Sequence, residues 1–379
     1  MYILKCDGTI IAQTAADDLA FESGSLQERV SSAGVLSCTL LPENPYQNLV
    51  ALRHSVLVLE RDDAEIFRGQ AVSTELNEDG FFQISGLGDM SYLRDVMISP
   101  FTYSGTLSGL FGEILSKYRA RASSWRKIYK GTVGISGAVE FELTSCRTAW
   151  DLISDLTEQH GGVLEMVWLD DGSRGISWLE DSGRYSDQEA MWGDNLLSLQ
   201  IEMDASDVVN KLIAEGDAEG DTELIETVTD DDSVALFGAI YGYERFSDIT
   251  TSADLIAAAR AALAATRNAA RSVSGSAIEK WESGVEPFRC GDFVRTISNE
   301  HLVDEWLVVS ELRHDLTMAK PLQVTLGRIG DSMTSSGRTL MINAWINGLQ
   351  GRTPPVYYAI DADGYYAIDA DGYYAMARE

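Results

Sequence analysis

Short runs of alternating apolar and polar residues, separated by turn residues, dominate the first 97 positions of the chain. Met1–Cys6 and Thr9–Thr14 flank Asp7-Gly8, a dipeptide that accepts the positive φ angles of a tight hairpin turn. The further runs that predict strands are Gly34–Leu41, Ser55–Glu60, Ala64–Thr74 and Phe81–Gly86. Short strands at this spacing favour a small barrel or a split barrel.

The periodicity changes between residues 98 and 194. Apolar residues recur at helical spacing in Leu107–Tyr118 and again in Arg147–Gly161, where Ser145 or Thr148 is a candidate N-cap. Two strand-like runs follow, and they are Val163–Leu169 and Gly175–Leu179. This segment predicts an α+β domain inserted after the first β unit.

Residues 195–331 return to β patterns. Leu196–Met203 and Val208–Glu215 predict a strand pair, and the Ala- and Leu-rich Ser252–Asn268 predicts a helix. The other predicted strands are Leu224–Val228, Ser274–Trp281, Asp292–Ser298, Glu305–Arg313 and Leu322–Ile329. We therefore expect an α+β, mainly β fold: two related small β-barrel domains (1–97 and 195–331, the second carrying one helix), an α+β domain between them (98–194) and a C-terminal tail (332–379).

The tail combines a short apolar helix with a repeat. The helix, Arg338–Leu349, either packs on its own barrel or plugs a central channel. Tyr357–Gly364 recurs unchanged at Tyr365–Gly372 and then decays. The alternative to an ordered repeat is a disordered low-complexity tail. If ordered, the repeat offers six tyrosines suited to contact with a partner or a host surface: Tyr357, Tyr358, Tyr365, Tyr366, Tyr373 and Tyr374.

The aspartates of the repeat have two interpretations, a calcium site and a turn. They are Asp361, Asp363, Asp369 and Asp371. The D-A-D-G sequence resembles the start of a calcium loop, but an EF-hand also needs a third acidic position and a distant Glu, and neither is present. A plain Asp-Gly turn is therefore favoured, and calcium binding is the alternative.

Charge and cysteine content limit the function classes. The net charge of −30 disfavours electrostatic binding to nucleic acid. It suits either a generic acidic surface or a wall past which DNA slides. Four widely spaced cysteines, expected in the core, predict neither a zinc cluster nor a disulfide framework: Cys6, Cys38, Cys146 and Cys290. We expect no signal peptide and no transmembrane helix, and hence a soluble chain made in a cytoplasm.

Catalytic motifs are missing from the sequence. HExxH, GxSxG, P-loop and GxGxxG patterns are absent. His301 lies near Asp304 and Glu305, a grouping more typical of a solvated surface than of a metal site. The residues after 331 are too few for a lysin domain. We therefore expect no enzymatic activity, no cofactor and no metal site.

Seven segments, taken in order, carry a resemblance to a known family. They are Ser37–Tyr46 (S-C-T-L-L-P-E-N-P-Y), Glu65–Gly69 (E-I-F-R-G), Gly86–Asp95 (G-L-G-D-M-S-Y-L-R-D), Thr148–Glu165, Asp207–Gly216, Tyr241–Arg245 and Gly291–Val294. This order resembles the tail-tip hub proteins of siphophages, also called tail-associated or prophage tail proteins. The resemblance extends from residue 1 to about residue 330.

The resemblance implies a structural virion protein at the tail tip. Such hubs carry two related β-barrels per subunit, so that a homotrimer imitates a sixfold ring and caps the tail tube. The implied partners are the hexameric distal tail ring, the tape measure protein and tip fibres or receptor-binding proteins. DNA would pass through the lumen without specific binding during a gated ejection, and no stable membrane insertion is implied.

Two alternative functions come from other classes. The tyrosine repeat would also suit a tail protein that binds host-surface carbohydrate. Many members of the resembling family carry a C-terminal lysin or endopeptidase, so a tail-associated peptidoglycan hydrolase is the other alternative.

Overall fold

The computed structural model describes residues 1–14, 18–217, 224–247, 249–267, 270–280 and 286–327. Within them the protein is mainly β, and its largest element is a 13-stranded sheet built chiefly from antiparallel pairs. The predicted helix at 338–349, the six tyrosines and the four aspartates of the repeat lie outside the described residues.

The first seven strands form what we call the first module. They are β1 (Tyr2–Cys6), β2 (Thr9–Gln13), β3 (Phe21–Arg29), β4 (Val35–Leu40), β5 (Val56–Arg61), β6 (Ala64–Leu76) and β7 (Phe82–Gly88). Asp7 and Gly8 have φ angles of 48° and 85°, which confirms the predicted hairpin between β1 and β2. The inward side chains, among them Leu4, Leu59 and Ile84, are fully buried and form the core of this module.

The middle region follows and combines two helices with short strands. Its elements are β8 (Met97–Ile98), β9 (Phe101–Thr106), α1 (Leu107–Arg121), β10 (Tyr129–Val133), β11 (Ala138–Leu143), β12 (Arg147–Thr148), α2 (Ala149–His160), β13 (Val163–Trp168) and β14 (Arg174–Leu179). The Thr148 side chain caps α2 by accepting a hydrogen bond from the Asp151 amide, as one of the two predicted caps. Both helices bury their apolar faces in one cluster with Trp178.

The rest of the described chain contains nine strands and two helices. They are β15 (Ala190–Met191), β16 (Leu196–Asp204), β17 (Lys211–Gly216), β18 (Leu224–Thr229), α3 (Asp231–Phe237), β19 (Tyr241–Phe246), α4 (Ser252–Thr266), β20 (Ala270–Ile278), β21 (Phe293–Ser298), β22 (Val303–Asp315) and β23 (Gln323–Leu326). We call β15, β16 and β20–β23 the second module. We call β17–β19 with α3 and α4 the inserted unit.

The two modules follow one strand order. Neighbouring strands run β3-β4-β7-β6-β5-β1 in the first module and β16-β20-β23-β22-β21-β15 in the second. In the first module the β3–β4 pair lies beside the antiparallel meander β5–β6–β7. In the second module the β16–β20 pair lies beside the meander β21–β22–β23. A register irregularity also falls at the same place, between Ala71 and Ser73 in β6 and between Val309 and Glu311 in β22. One difference is that β15 runs parallel to β21, whereas β1 runs antiparallel to β5.

One cross-strand pair exchanges large and small residues between the modules. In the first module Leu36 of β4 lies opposite Gly86 of β7. In the second module Gly275 of β20 lies opposite Leu326 of β23. A Cβ atom on Gly275 would approach the Ser198 carbonyl oxygen to 2.5 Å, so this strand requires glycine.

A direct strand pairing joins the modules into one sheet. The end of β22 pairs antiparallel with β3, from Glu311 opposite Arg29 to Asp315 opposite Ser25. Both strands also keep their pairing within their own modules, β22 with β21 and β23 and β3 with β4. We call the β22–β3 pairing the seam.

Two predictions about the second β unit are wrong. β16 pairs with β20, which lies more than sixty residues further along the chain, and not with β17. α4 covers β17 and β18 of a separate three-stranded sheet, with Leu212, Leu255 and Leu263 in a core of its own. The predicted helix therefore packs on the inserted unit and not on the strands of the second module.

The barrel form and the domain boundaries stay predictions. Among the described residues, no strand pairing closes either module into a barrel. The predicted boundaries at residues 97, 194 and 331 likewise remain expectations.

Candidate assembly surfaces

A buried histidine marks the seam between the modules. The His314 side chain is 3% exposed, and its Nδ1 lies 3.1 Å from the Tyr2 hydroxyl. Its Nε2 lies 2.7 Å from a carboxylate oxygen of Glu28. A carboxylate only accepts hydrogen bonds, so Nε2 donates to Glu28, while Nδ1 contacts the phenol. Burial raises the pKa of Tyr2 to about 12, so the phenol keeps its proton.

A buried ion pair makes the second connection between the modules. Arg61, at the end of β5, binds Glu279, which follows β20, and both side chains are under 10% exposed. Glu279 also accepts a hydrogen bond of 3.0 Å from the Phe288 amide. Burial opposes the charge of Arg61, but its contacts with Glu279 outweigh burial and raise its pKa. The pair therefore holds two distant chain segments together in the charged state.

A cleft of about 950 Å³ opens where both modules meet the middle region. Its walls carry further ion pairs. Arg174 lies 2.6 Å from Asp89, and Arg184 lies 2.6 Å from Glu165 and 2.7 Å from Asp292. Burial raises the pKa of Asp89, and the charge of Arg174 limits the rise. These acids face guanidinium groups, and the ion pairs join separate regions of the chain.

Two strand edges expose apolar side chains. β16 is the end strand of the large sheet, and its Leu197 and Ile201 are 56% and 39% exposed. Leu76, at the end of β6, is 62% exposed. Within the described residues, the last part of β6 pairs with β7 on one side and with no strand on the other. Unpaired edges with exposed apolar side chains are ready sites for pairing with another chain.

The inserted unit leaves one face of its sheet open. α4 covers one face, while Tyr241 and Tyr243 of β19 are 61% and 62% exposed on the other. The Lys211 ammonium lies 5.5 Å from the Tyr241 ring centre, and the Tyr243 hydroxyl donates to Glu215. This face is aromatic and is bordered by charged side chains. Tyr241–Arg245 was noted from the sequence only as a segment of the family resemblance, and not as an exposed face.

The structure shows the surroundings of His301 and of the four cysteines. The His301 ring contacts the Ser298 hydroxyl at 2.7 Å and stacks edge-on against Trp192. In the described part of the chain, no group of three or more His, Cys, Asp or Glu side chains could hold a metal ion. Cys6 and Cys38 are buried, as predicted, but Cys146 is exposed, so the expectation of four core cysteines is wrong.

The helices of the described residues include none that is both long and apolar enough to span a membrane.

The side chains that connect the modules were missed because they come from five separate segments. Tyr2, Glu28, Arg61, Glu279 and His314 share no spacing pattern. One signal was present, since His314 and Glu28 occupy positions of their strands that face inward with Leu312 and Leu26. A polar residue at an inward position indicates a buried partner, but it does not identify that partner.

Three solved structures with similar folds are tail proteins, two of them from prophages. The tail protein from Neisseria meningitidis MC58 is 15% identical with a TM-score of 0.58, covering 89% of this chain and 99% of its own. The 43 kDa tail protein of prophage MuSo2 from Shewanella oneidensis is 14% identical, also with a TM-score of 0.58, covering 88% and 98%. Prophage tail protein gp18 from Listeria monocytogenes EGD-e is 14% identical with a TM-score of 0.55, covering 93% and 99%. At these identities the likeness establishes a shared fold.

Sequence comparisons give one further result. No curated protein sequence is significantly similar to this chain. A family model described as YQBQ-like matches residues 26–325, which include most of both modules and the whole of the middle region and the inserted unit. The protein is therefore a member of the YQBQ-like family.

Proposed function

We propose that the protein is a structural component of a phage tail, and that three copies form the hub at the tail tip. The observation that carries the proposal is the pair of modules with one strand order, joined in a single sheet. The fold shared with tail proteins over nearly their full length supports the same role.

The paired modules have a direct consequence for symmetry. Three chains with two similar modules each present six similar units around one axis, so a trimer can meet a sixfold neighbour. In the proposed hub, one side of the ring seats on a hexameric distal tail ring and the tape measure protein. The other side carries tip fibres or receptor-binding proteins.

The charge of the chain suits the proposed passage of DNA. A trimer carries three times the net charge of −30. If part of this charge lines the lumen, the wall repels the phosphate backbone and DNA slides without binding. Gating of ejection is then a matter of opening the ring, and the proposed role requires no catalysis.

The two alternative functions have less support. Carbohydrate binding was predicted from the tyrosine repeat, which lies outside the described residues. A peptidoglycan hydrolase needs an acid, base or metal set, and the carboxylates of the central cleft described above are held in ion pairs.

Mass and shape in solution test the proposal. Light scattering on the full chain should give three times the 41.5 kDa chain mass at high protein concentration. Class averages from electron microscopy should then show a ring with threefold symmetry and a central opening. A protein that stays monomeric at high concentration, or a trimer without an opening, would contradict the hub.

A further inference from the structure

The seam inside one chain suggests how copies of the chain join. We infer that the end of β6 in one copy pairs antiparallel with β16 of the next copy, as the end of β22 pairs with β3 within each chain. The inference rests on the proposed trimeric hub and names the surfaces that would build it. Its starting point is that both free strand edges belong to strands whose equivalents form the seam.

The end of β6 is equivalent to the end of β22. Both strands are 13 residues long, and in each the register irregularity follows the residue that lies opposite Gly86 of β7 or Leu326 of β23. Ala71 and Val309 precede the irregularity, and Thr74 and Leu312 follow it. In β22 the residues after this point form the seam. In β6 the corresponding edge has no strand beside it in the part of the chain that the structure describes.

β16 is likewise equivalent to β3. Both strands are nine residues long. Leu26 lies opposite Leu36 in the first module, and Leu199 lies opposite Gly275 in the second. Leu36 of β4 and Gly275 of β20 occupy equivalent positions in the two modules. Leu199, which lies opposite Gly275, is therefore equivalent to Leu26, which lies opposite Leu36. Within the described residues, β16 has β20 on one side, and its other edge ends the sheet.

The seam register then fixes the register between copies. Within the chain, Leu312 lies opposite Glu28 and His314 opposite Leu26. The equivalent pairs between copies are Ser73 with Glu202, Thr74 with Ile201, Glu75 with Gln200, and Leu76 with Leu199. This register sets no like charges directly opposite each other, which would destabilise the pairing.

The register also accounts for two of the exposed apolar side chains. Leu76 and Ile201 are 62% and 39% exposed in the single chain. In the inferred pairing both lie on the inward face, beside Leu199 and Thr74. Burial of apolar area and the new backbone hydrogen bonds would stabilise the contact together.

The joint is heterologous, since it uses different strands on the two copies. Such a joint closes into a ring when the rotation from copy to copy divides a full turn. The seam and the inferred joint alternate around that ring, so neither the β6 edge nor the β16 edge remains for filament growth.

A disulfide between copies tests the register. In the seam, the Val30 amide donates to the Ser310 carbonyl at 3.2 Å and the Leu316 amide donates to the Gly24 carbonyl at 3.0 Å. These bonds identify the pair of Arg313 and Gln27 as a non-hydrogen-bonded pair, whose side chains approach most closely. The equivalent pair between copies is Glu75 and Gln200, and both residues are exposed in the single chain.

The cross-linking variant is Glu75→Cys with Gln200→Cys in the full chain, with Cys146→Ser to remove the exposed thiol. On oxidation it should form covalent dimers and trimers that reducing agent dissolves. The matched control, Glu75→Cys with Ile201→Cys, is one residue out of register and on opposite faces, and it should stay uncross-linked.

The outcomes separate this inference from the proposed hub. A trimer by light scattering that forms no cross-link in the first variant overturns the inferred joint and leaves the hub standing. A chain that remains monomeric at high concentration contradicts the hub and the joint together. Equal cross-linking of both variants would also overturn the inferred register.

A charge at the same edge gives a second measurement. Leu76→Lys should weaken trimer formation by about tenfold or more, because it places an ammonium beside Leu199 of the next copy. Leu52→Lys is the matched control, since Leu52 is a 48% exposed leucine of the first module outside the inferred joint. Both variants should keep the thermal unfolding of the single chain. Equal association of the two variants would contradict the joint.

Discussion

The first and second modules differ in how their hairpin strands are connected. In the first module β3 and β4 are joined by residues 30–34, whereas in the second module the whole inserted unit lies between β16 and β20. The strand order is nevertheless the same. The order therefore depends on cross-strand pairing and burial, and it tolerates a very long connection because loop-closure entropy grows slowly with length.

The modules also differ in how they are completed. The first module has the β1–β2 hairpin at its margin, and Tyr2 and Arg61 there contact His314 and Glu279 of the second module or its flank. The second module has the two-residue β15 in the corresponding place. The polar contacts between the modules thus come from the first module's margin and from β3, whose Glu28 contacts His314 and whose Gln27 and Arg29 bind Glu311. Four predictions test this division, in order of decreasing expected effect.

Removing one partner of the buried ion pair should have the largest effect. Arg61→Ala leaves Glu279 charged and buried without its partner, and it should lower the free energy of unfolding by about 3–5 kcal/mol. Urea denaturation followed by fluorescence measures this change. The double variant Arg61→Leu with Glu279→Leu should recover most of the loss, because it removes both charges. Equal stability of the single and double variants would contradict the role of the pair.

Equivalent core positions should differ by residue size. Ile84 and Val324 are both buried and occupy equivalent places in β7 and β23. Ile84→Ala should cost about 2–5 kcal/mol. Val324→Ala removes one methylene fewer and should cost less by about 0.8 kcal/mol. Calorimetry should give one transition in both variants, since the seam joins the modules, and two separate transitions would argue against this coupling.

The seam should weaken in acid through Glu311. Partial burial opposes its ionisation, but hydrogen bonds from Arg313, Arg29 and Gln27 outweigh burial and lower the pKa of Glu311 from its ordinary value of 4.5. A lowered pKa contributes stability that is present above the ordinary value and is lost as pH falls through the folded-state value.

The test of this acid effect compares melting temperatures across pH. Stability should fall in the wild type as pH drops below 4.5, and Glu311→Gln should reduce this slope by the share of one carboxylate. Glu43→Gln, a change at an exposed carboxylate away from the seam, is the control. Identical slopes in the wild type and Glu311→Gln would contradict a contribution of Glu311 to the acid effect.

Removing the inserted unit should have the smallest effect. Asp204 and Ala270 are paired at its base, so a short glycine-containing turn can replace residues 205–269 without moving β16 or β20. Because the unit has its own core around α4, we expect the stability of the remaining protein to change by about 1 kcal/mol or less. Thermal unfolding followed by circular dichroism measures this change, and loss of the cooperative transition would contradict the independence of the unit.

Local structure was predictable where a few adjacent residues determine it. Asp7-Gly8 specified its hairpin because the turn needs positive φ at both positions. Thr148 and Gly161 marked the limits of α2, because a hydroxyl caps the first turn and glycine accepts the positive φ after the last. These signals act over a few residues and need no tertiary context.

Pairing over long distances was not predictable in the same way. Leu196–Met203 has a clear alternating pattern, but a period of two indicates a half-buried strand and does not identify its neighbour. The nearest strand in sequence was therefore chosen wrongly. The seam and the ion pair of Arg61 with Glu279 were unpredictable for the same reason, since the contributing residues meet only after the modules have formed.

The exchanged residues at Leu36 and Gly86, and at Gly275 and Leu326, limit how the chain can be recombined. A chimera that replaces β20 with β4 would set two leucines against each other, and one that replaces β23 with β7 would leave two glycines and a void. Single strands are therefore not interchangeable parts, although the strand order is shared. Packing at this layer is kept only when both members of the pair change together.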